Sequence, residues 1–195
     1  MRRIFALLTA LWLLLSYTAC ASVPPDHPFA YADGAFTASL QGTYIPASDP
    51  EGVPRPFAAV VTAGEPSESD PALRDLSVTF TAPEALKGLT VTAALTSAPE
   101  GAVGREVTFS YSSAYGNVQA PAAGDEYRGF LRFGEALIPM GDVVAVSPVS
   151  AEGTYTVTRR MGDREAVFTF RKGEAQPVSV TVTDGYGRIE ALVIQ

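Results

Sequence analysis

The chain has 195 residues, with 14 Lys or Arg against 21 Asp or Glu, for a net charge of −7. That acidic balance argues against a nucleic-acid partner, which needs clustered positive charge. A single cysteine (Cys20) rules out an internal disulfide and a cysteine-based metal cluster.

The N-terminus opens on Arg2 and Arg3, continues through an apolar run at residues 4–15, and exits through Thr18-Ala19-Cys20. A basic start, a short apolar core and a small-residue exit read as a secretory signal peptide over residues 1–19. A membrane span needs about 20 apolar residues, so secretion is the better reading. The paired arginines faintly resemble a twin-arginine signal, but the strongly apolar core favours ordinary export. Without the leader the balance becomes 12 basic to 21 acidic residues, or −9.

Thr18-Ala19-Cys20 resembles a bacterial lipobox, with Tyr17 where that motif usually carries leucine. The resemblance implies a diacylglyceryl-modified Cys20, carrying palmitate-type chains, as the mature N-terminus. Ala19-Cys20-Ala21 also fits an ordinary signal-peptidase site, which would release a soluble secreted protein. Acyl chains contribute about 0.8 kcal/mol per buried methylene, so two of them anchor a protein stably. Residues 20–28, with three prolines, are then a lipidated cysteine and a stiff tether. His27, the single histidine, lies in this tether as a solvated side chain.

From residue 29 to the end, apolar and polar residues alternate with period two, which predicts half-buried strands in a single β domain. Leu76, Val78 and Phe80 alternate with Ser77, Thr79 and Thr81; Val107, Phe109 and Tyr111 with Thr108 and Ser110; Val178, Val180 and Val182 with Ser179, Thr181 and Thr183. Segments 89–93 and 154–158 behave alike, and further strands are expected at 36–40, 57–62, 127–133, 143–147, 166–170 and 189–194. The total is about eleven. Gly-containing turns at 161–164, 171–174 and 184–187 make the last four strands an antiparallel meander.

Residues 45–56 and 112–125 read as loops, the second as a lid candidate. Short helical turns are expected at 71–76, 83–86 and 133–140. One apolar face repeated along so many strands must be covered. A single curved sheet, as a full or partial barrel, and a two-sheet sandwich both achieve this.

Chemistry is constrained by what is missing. The single histidine sits in the tether, which leaves no Ser-His-Asp triad and no histidine-bound zinc. No G-x-S-x-G motif and no phosphate-cradling glycine loop occurs. No cofactor and no metal are expected. Carboxylates at Asp33, Asp125, Glu126, Asp163 and Asp184 are the residual catalytic candidates, for a glycan hydrolase, and each reads better as a turn former or solvated charge.

Arg128 and Arg132, taken as one face of a strand at 127–133, read as a solvated outer surface, with Arg159-Arg160 as a second basic spot. Phe80, Phe109, Tyr111, Phe133, Phe168 and Phe170 lie on apolar strand faces, as core residues or as the lining of a hydrophobic cavity.

Three stretches carry a family resemblance: Phe57-Ala58-Ala59-Val60-Val61; Val78-Thr79-Phe80-Thr81-Ala82-Pro83 with Leu86 and Gly88; and Phe168-x-Phe170 followed by Gly173, Pro177, Val178 and Val180. Here the chain resembles small bacterial lipoproteins of the lipoprotein-carrier (LolA-like) superfamily. The resemblance implies a half-barrel, a strongly curved antiparallel sheet with short helices plugging an apolar concavity able to hold acyl chains. The sequence pattern lacks the carriers' long N-terminal helix and lid helices.

The expectation is a mainly β, non-enzymatic extracytoplasmic lipoprotein. It would be anchored to the outer face of the cytoplasmic membrane, or to an outer membrane where one exists, and would bind an acyl chain or an envelope protein. A β-sandwich adhesion or assembly module is the alternative.

Overall fold

In the computed structural model, the residues described are 27–68, 70, 72–97, 103–113, 116–121 and 128–194. Eleven strands form one antiparallel sheet: β1 (Phe36–Pro46), β2 (Arg55–Ala63), β3 (Leu76–Ala82), β4 (Leu89–Ser97), β5 (Val103–Ser113), β6 (Gly116–Pro121), β7 (Asp142–Val146), β8 (Thr154–Met161), β9 (Arg164–Arg171), β10 (Ser179–Asp184) and β11 (Gly187–Ile194). A 3-10 turn (Ala30–Ala32) precedes β1, and one helix, α1 (Arg128–Glu135), separates β6 from β7.

The order across the sheet is β6-β5-β4-β3-β2-β1-β11-β10-β9-β8-β7. Two meanders therefore run outward from a central seam, where β1 pairs with β11 from Ser39↔Ile194 to Pro46↔Gly187. β6 and β7 are the free edges.

Alternation in the sequence becomes one buried face. Phe36, Ala38 and Leu40 of β1, Phe57, Ala59, Val61 and Ala63 of β2, and Leu76, Val78 and Phe80 of β3 are buried, with partly or fully exposed residues between them. Across the seam, Ala166, Phe168 and Phe170 of β9, Val180 and Val182 of β10, and Ile189 and Ala191 of β11 do the same. All of these join a single core cluster that includes Val107 of β5 and Val157 of β8. Those two strands stand eight positions apart in the sheet. Laid flat at about 4.8 Å per strand they would be about 38 Å apart. The sheet must curl around its contents, and it remains open because β6 and β7 do not pair. Among the described residues the strands form one sheet with no second sheet stacked on it, which sets the sandwich alternative aside.

Two plugs fill the concavity. α1 lies over β2, β3 and β4, with the Phe133 ring 4.6 Å from Phe57 and 5.3 Å from Phe80, and Phe130 5.8 Å from Phe80 and 5.9 Å from Phe109. On the other half, Phe29 sets its ring edge-on to Phe168 at 5.0 Å and Phe170 at 5.4 Å.

Several sequence expectations need correction. Residues 127–133 were expected as a strand, and 128–135 are helix α1. Phe130, Phe133 and Leu137 recur at helical spacing, and Gly129 and Gly134 break the pattern that would have revealed it. Arg132 is consequently not on a solvated face but 3% exposed. Within the expected loop 112–125, Gly116–Pro121 is strand β6, paired with β5 from Ser113↔Gly116 to Thr108↔Pro121. All six of its residues are exposed, so no apolar alternation marks it.

The loop expected at 45–56 is shorter, since Ile45 and Pro46 end β1 and Arg55 and Pro56 open β2. The helical turn at 83–86 forms, with Lys87 N–H donating to the Pro83 carbonyl at 3.1 Å. Cys20 and the leader lie outside the described residues.

Candidate functional site

A cavity of about 460 Å³ opens between the Phe29 plug, the segment after α1 and the β7–β8 edge. Such a volume falls in the range of small-molecule sites, about 300–1,000 Å³. Phe29 and Ala32 line it from the 3-10 turn, Ile138 and Pro139 from the segment after α1, and Val157 and Arg159 from β8. Val143 and Val146 of β7 complete the wall.

Residues three apart in a strand ordinarily point to opposite faces. Here the β7–β8 register slips between Val143↔Arg159 and Ala145↔Thr158, leaving Val144 as an extra, unpaired residue. The bulge re-aims the strand, and both Val143 and Val146 reach the pocket.

Polar groups are few and held at the rim. Arg159 donates through Nε to the Met140 carbonyl at 3.4 Å and through Nη2 to the Gly141 carbonyl. Its guanidinium carbon lies 5.1 Å from the Phe29 ring centre. Burial lowers the Arg159 pKa, opposed by the charge of Asp142 and the Tyr31 phenol.

Arg74, 1% exposed, donates to the carbonyls of Ala32 at 2.8 Å, Gly34 at 3.2 Å and Gly64 at 3.5 Å. It thereby ties the 3-10 turn to the end of β2. Tyr31 donates to the Leu137 carbonyl at 2.5 Å, linking that turn to the segment after α1, and burial pushes its phenol pKa well up. At the outer lip His27 Nδ1 lies 3.5 Å from Asp33 Oδ2, with both side chains largely exposed. The result is an apolar pocket whose charged groups are already engaged, suited to an apolar or amphipathic guest.

None of the six aromatic cavity candidates lines this pocket. Phe80, Phe168 and Phe170 are fully buried, Phe133 is 7% exposed, and Phe109 is half-buried under Phe130; Tyr111 is 41% exposed. α1 brings Phe80, Phe109 and Phe133 together, and Phe29 joins Phe168 to Phe170. The sequence offers Arg159 only as part of a basic spot and does not mark Phe29, Ile138 and Val146 as site residues, because the pocket joins distant segments and no local pattern makes them neighbours. The one available signal is the apolar pair Val143 and Val146 in a short expected strand.

The carboxylate candidates have structural partners. Asp33 meets His27, Asp163 accepts from Gly185 N–H at 3.1 Å, and Asp184 accepts from Arg132 at 2.5 Å and from Tyr186 N–H at 2.8 Å. Asp125 and Glu126 lie outside the described residues. Among the described residues no three of His, Cys, Asp and Glu come together as a metal ion would require.

No family model matches the chain, and no curated protein matches it. Among solved structures it is similar to one named for an outer membrane lipoprotein-sorting protein domain from Vibrio parahaemolyticus. That match has 10% identity and a TM-score of 0.41, and it covers 87% of this chain and 88% of that one. A DUF1329 family protein from Desulfovibrio piger ATCC 29098 is similar at 10% identity with a TM-score of 0.44, over 89% of this chain and 92% of that one. These are likenesses of chain path. The open, mainly β half-barrel stands on its own strand order and core.

Proposed function

We propose that this protein is a non-enzymatic, lipid-anchored extracytoplasmic protein that holds an apolar or amphipathic ligand in the pocket between its Phe29 plug and the β7–β8 edge. The observation that carries the reading is the 460 Å³ cavity floored by Phe29, Ile138 and Val157, with Arg159 at its rim. Anchoring through Cys20 is supported by the leader and by the position of the single cysteine. A free carboxyl or phosphate on the guest would remain near the rim arginine while its hydrocarbon takes the floor, since burying a charge without a partner is costly.

The test uses the mature chain, starting after the leader, and a fluorescent anthroyloxy-stearate as probe. Saturable binding is expected, and it should be lost in Ala72→Phe, whose new ring enters the pocket from the β2–β3 connection. Absence of saturable binding, or binding unchanged in Ala72→Phe, would remove the ligand reading. Palmitate labelling in cells tests the anchor: label is expected on the wild-type chain and none on Cys20→Ala.

A further inference from the structure

We propose that the pocket rim, together with the β7 edge beside it, is the surface this protein lays against the bilayer, so that the pocket opens onto membrane lipid. The inference rests on the anchored, ligand-holding reading above and adds its orientation and the source of the guest.

The first observation is where the tether enters. His27 and Pro28 line the pocket, and Cys20 is seven residues upstream of His27. An extended residue spans at most about 3.6 Å, so an acylated Cys20 stays within about 25 Å of the rim. A domain of this size is about 40 Å across. The tether is too short to wrap around it and offer the far end to the membrane.

The second observation is apolar surface at the same place. Val143, Val144 and Val146 are each 50% exposed on an edge strand that pairs on one side only. In water an exposed apolar edge of this kind is a liability that proteins normally blunt with charge. β7 carries one charged residue, Asp142, at its start. Apolar side chains beside an acyl anchor instead add buried area at the headgroup boundary.

Charge gives the third observation. Around the rim, Arg74 and Arg159 stand against Asp33, Glu65 and Asp142, with His27 beside them. Two basic against three acidic groups is a net of −1, nearer to balance than the chain without its leader, at 12 against 21, or −9. An anionic lipid surface repels the rest of the molecule more than it repels this face.

The mature chain contains no tryptophan, because Trp12 lies in the leader, so a single introduced tryptophan reports one position. Val144→Trp places it on the β7 edge. Val53→Trp places it in the β1–β2 loop, 85% exposed, beyond the end of β1 remote from the 3-10 turn. Both variants, as lipidated chains, are bound to phosphatidylcholine–phosphatidylglycerol vesicles with brominated acyl chains, after equal urea midpoints confirm the fold.

Strong quenching and a blue shift at position 144, with neither at 53, are expected. Equal quenching at both positions, or more at 53, overturns the orientation while leaving the anchored reading intact. Quenching at neither position in sedimented vesicles also overturns it, and assigns the β7 edge to a protein partner or a second copy. Failure of the lipidated chain to sediment with vesicles overturns the anchored reading together with the orientation.

Discussion

Arg132 projects from α1 into the far end of the half-barrel, where its Nη2 meets Asp184 at 2.5 Å and the Gly187 carbonyl at 3.1 Å. Its guanidinium carbon also sits 5.3 Å from the Tyr44 ring and 5.5 Å from Tyr186. The pair is 3% and 11% exposed, so little solvent screens it. Removing one partner of a buried pair leaves an uncompensated charge and costs about 3–5 kcal/mol, whereas neutralising both partners together is far milder. Asp184→Asn, which keeps an oxygen for Tyr186 N–H, is expected to lower unfolding stability by about 3 kcal/mol. The double variant Arg132→Met with Asp184→Asn, which leaves no buried charge, should cost clearly less than Asp184→Asn alone, and urea unfolding of both variants checks the order.

Tyr31 makes a second prediction at this scale. Burial raises its pKa in the folded chain, and burial raises that of Tyr155 as well. A phenol whose folded pKa lies above its unfolded value near 10 favours the folded state below that value, and the advantage is lost as pH rises past it. Stability should therefore fall above about pH 10, and Tyr31→Phe should flatten much of that slope. Chemical unfolding from pH 9 to about pH 11 measures it.

At the scale of elements, α1 is held by more than its phenylalanines. Arg164 of β9 donates to the Glu135 carbonyl at 2.7 Å, satisfying one of the free carbonyls at the helix end. Gly134 lets the helix approach β3: a Cβ there would stand 2.6 Å from Val78 Cγ2 and 3.2 Å from both Leu76 methyls. Those side chains are themselves fully buried and have nowhere to go. Alanine gains about 1 kcal/mol over glycine in a helix, while overpacking costs about 1–3 kcal/mol. Gly134→Ala should therefore be net destabilising, by up to about 2 kcal/mol. At Gly129 nothing lies within 4 Å of a built Cβ, and Gly129→Ala should stabilise by about 0.5–1 kcal/mol. Opposite signs for two glycines in one helix make the comparison of melting midpoints decisive.

For the whole molecule, the β1–β11 seam is the joint between the two meanders. Gly42 pairs with Ala191 there, and a Cβ at residue 42 would be driven onto the Glu190 carbonyl oxygen of the neighbouring strand. Backbone cannot yield as a flexible side-chain tip can. Gly42→Ala is expected to cost about 2–4 kcal/mol and to loosen both halves together, because each curls around a core that spans the seam. Hydrogen exchange across β2 and β10 reads this directly: protection should drop on both sides, not on one.

Period-two alternation at Leu76–Phe80, Val107–Tyr111 and Val178–Val182 determined that the chain is a β protein, because each strand's pleat sorts its own side chains without reference to the rest. The turn glycines determined the C-terminal meander for the same local reason: Gly162 and Gly187 adopt positive φ in hairpins that close within four residues. What only the tertiary structure decided is the role of residues whose neighbours are far away in sequence. Residues 128–135 became a helix because the β2–β4 concavity needs a plug, and Arg132 became a buried tie because Asp184 waits on a distant hairpin. The pocket likewise exists only where residues 27–33, 72–74, 138–146 and 157–159 meet. Alternation reports which face of a strand is buried. It carries no record of whether that face packs against a plug or borders an open space, and here the difference separates core from site.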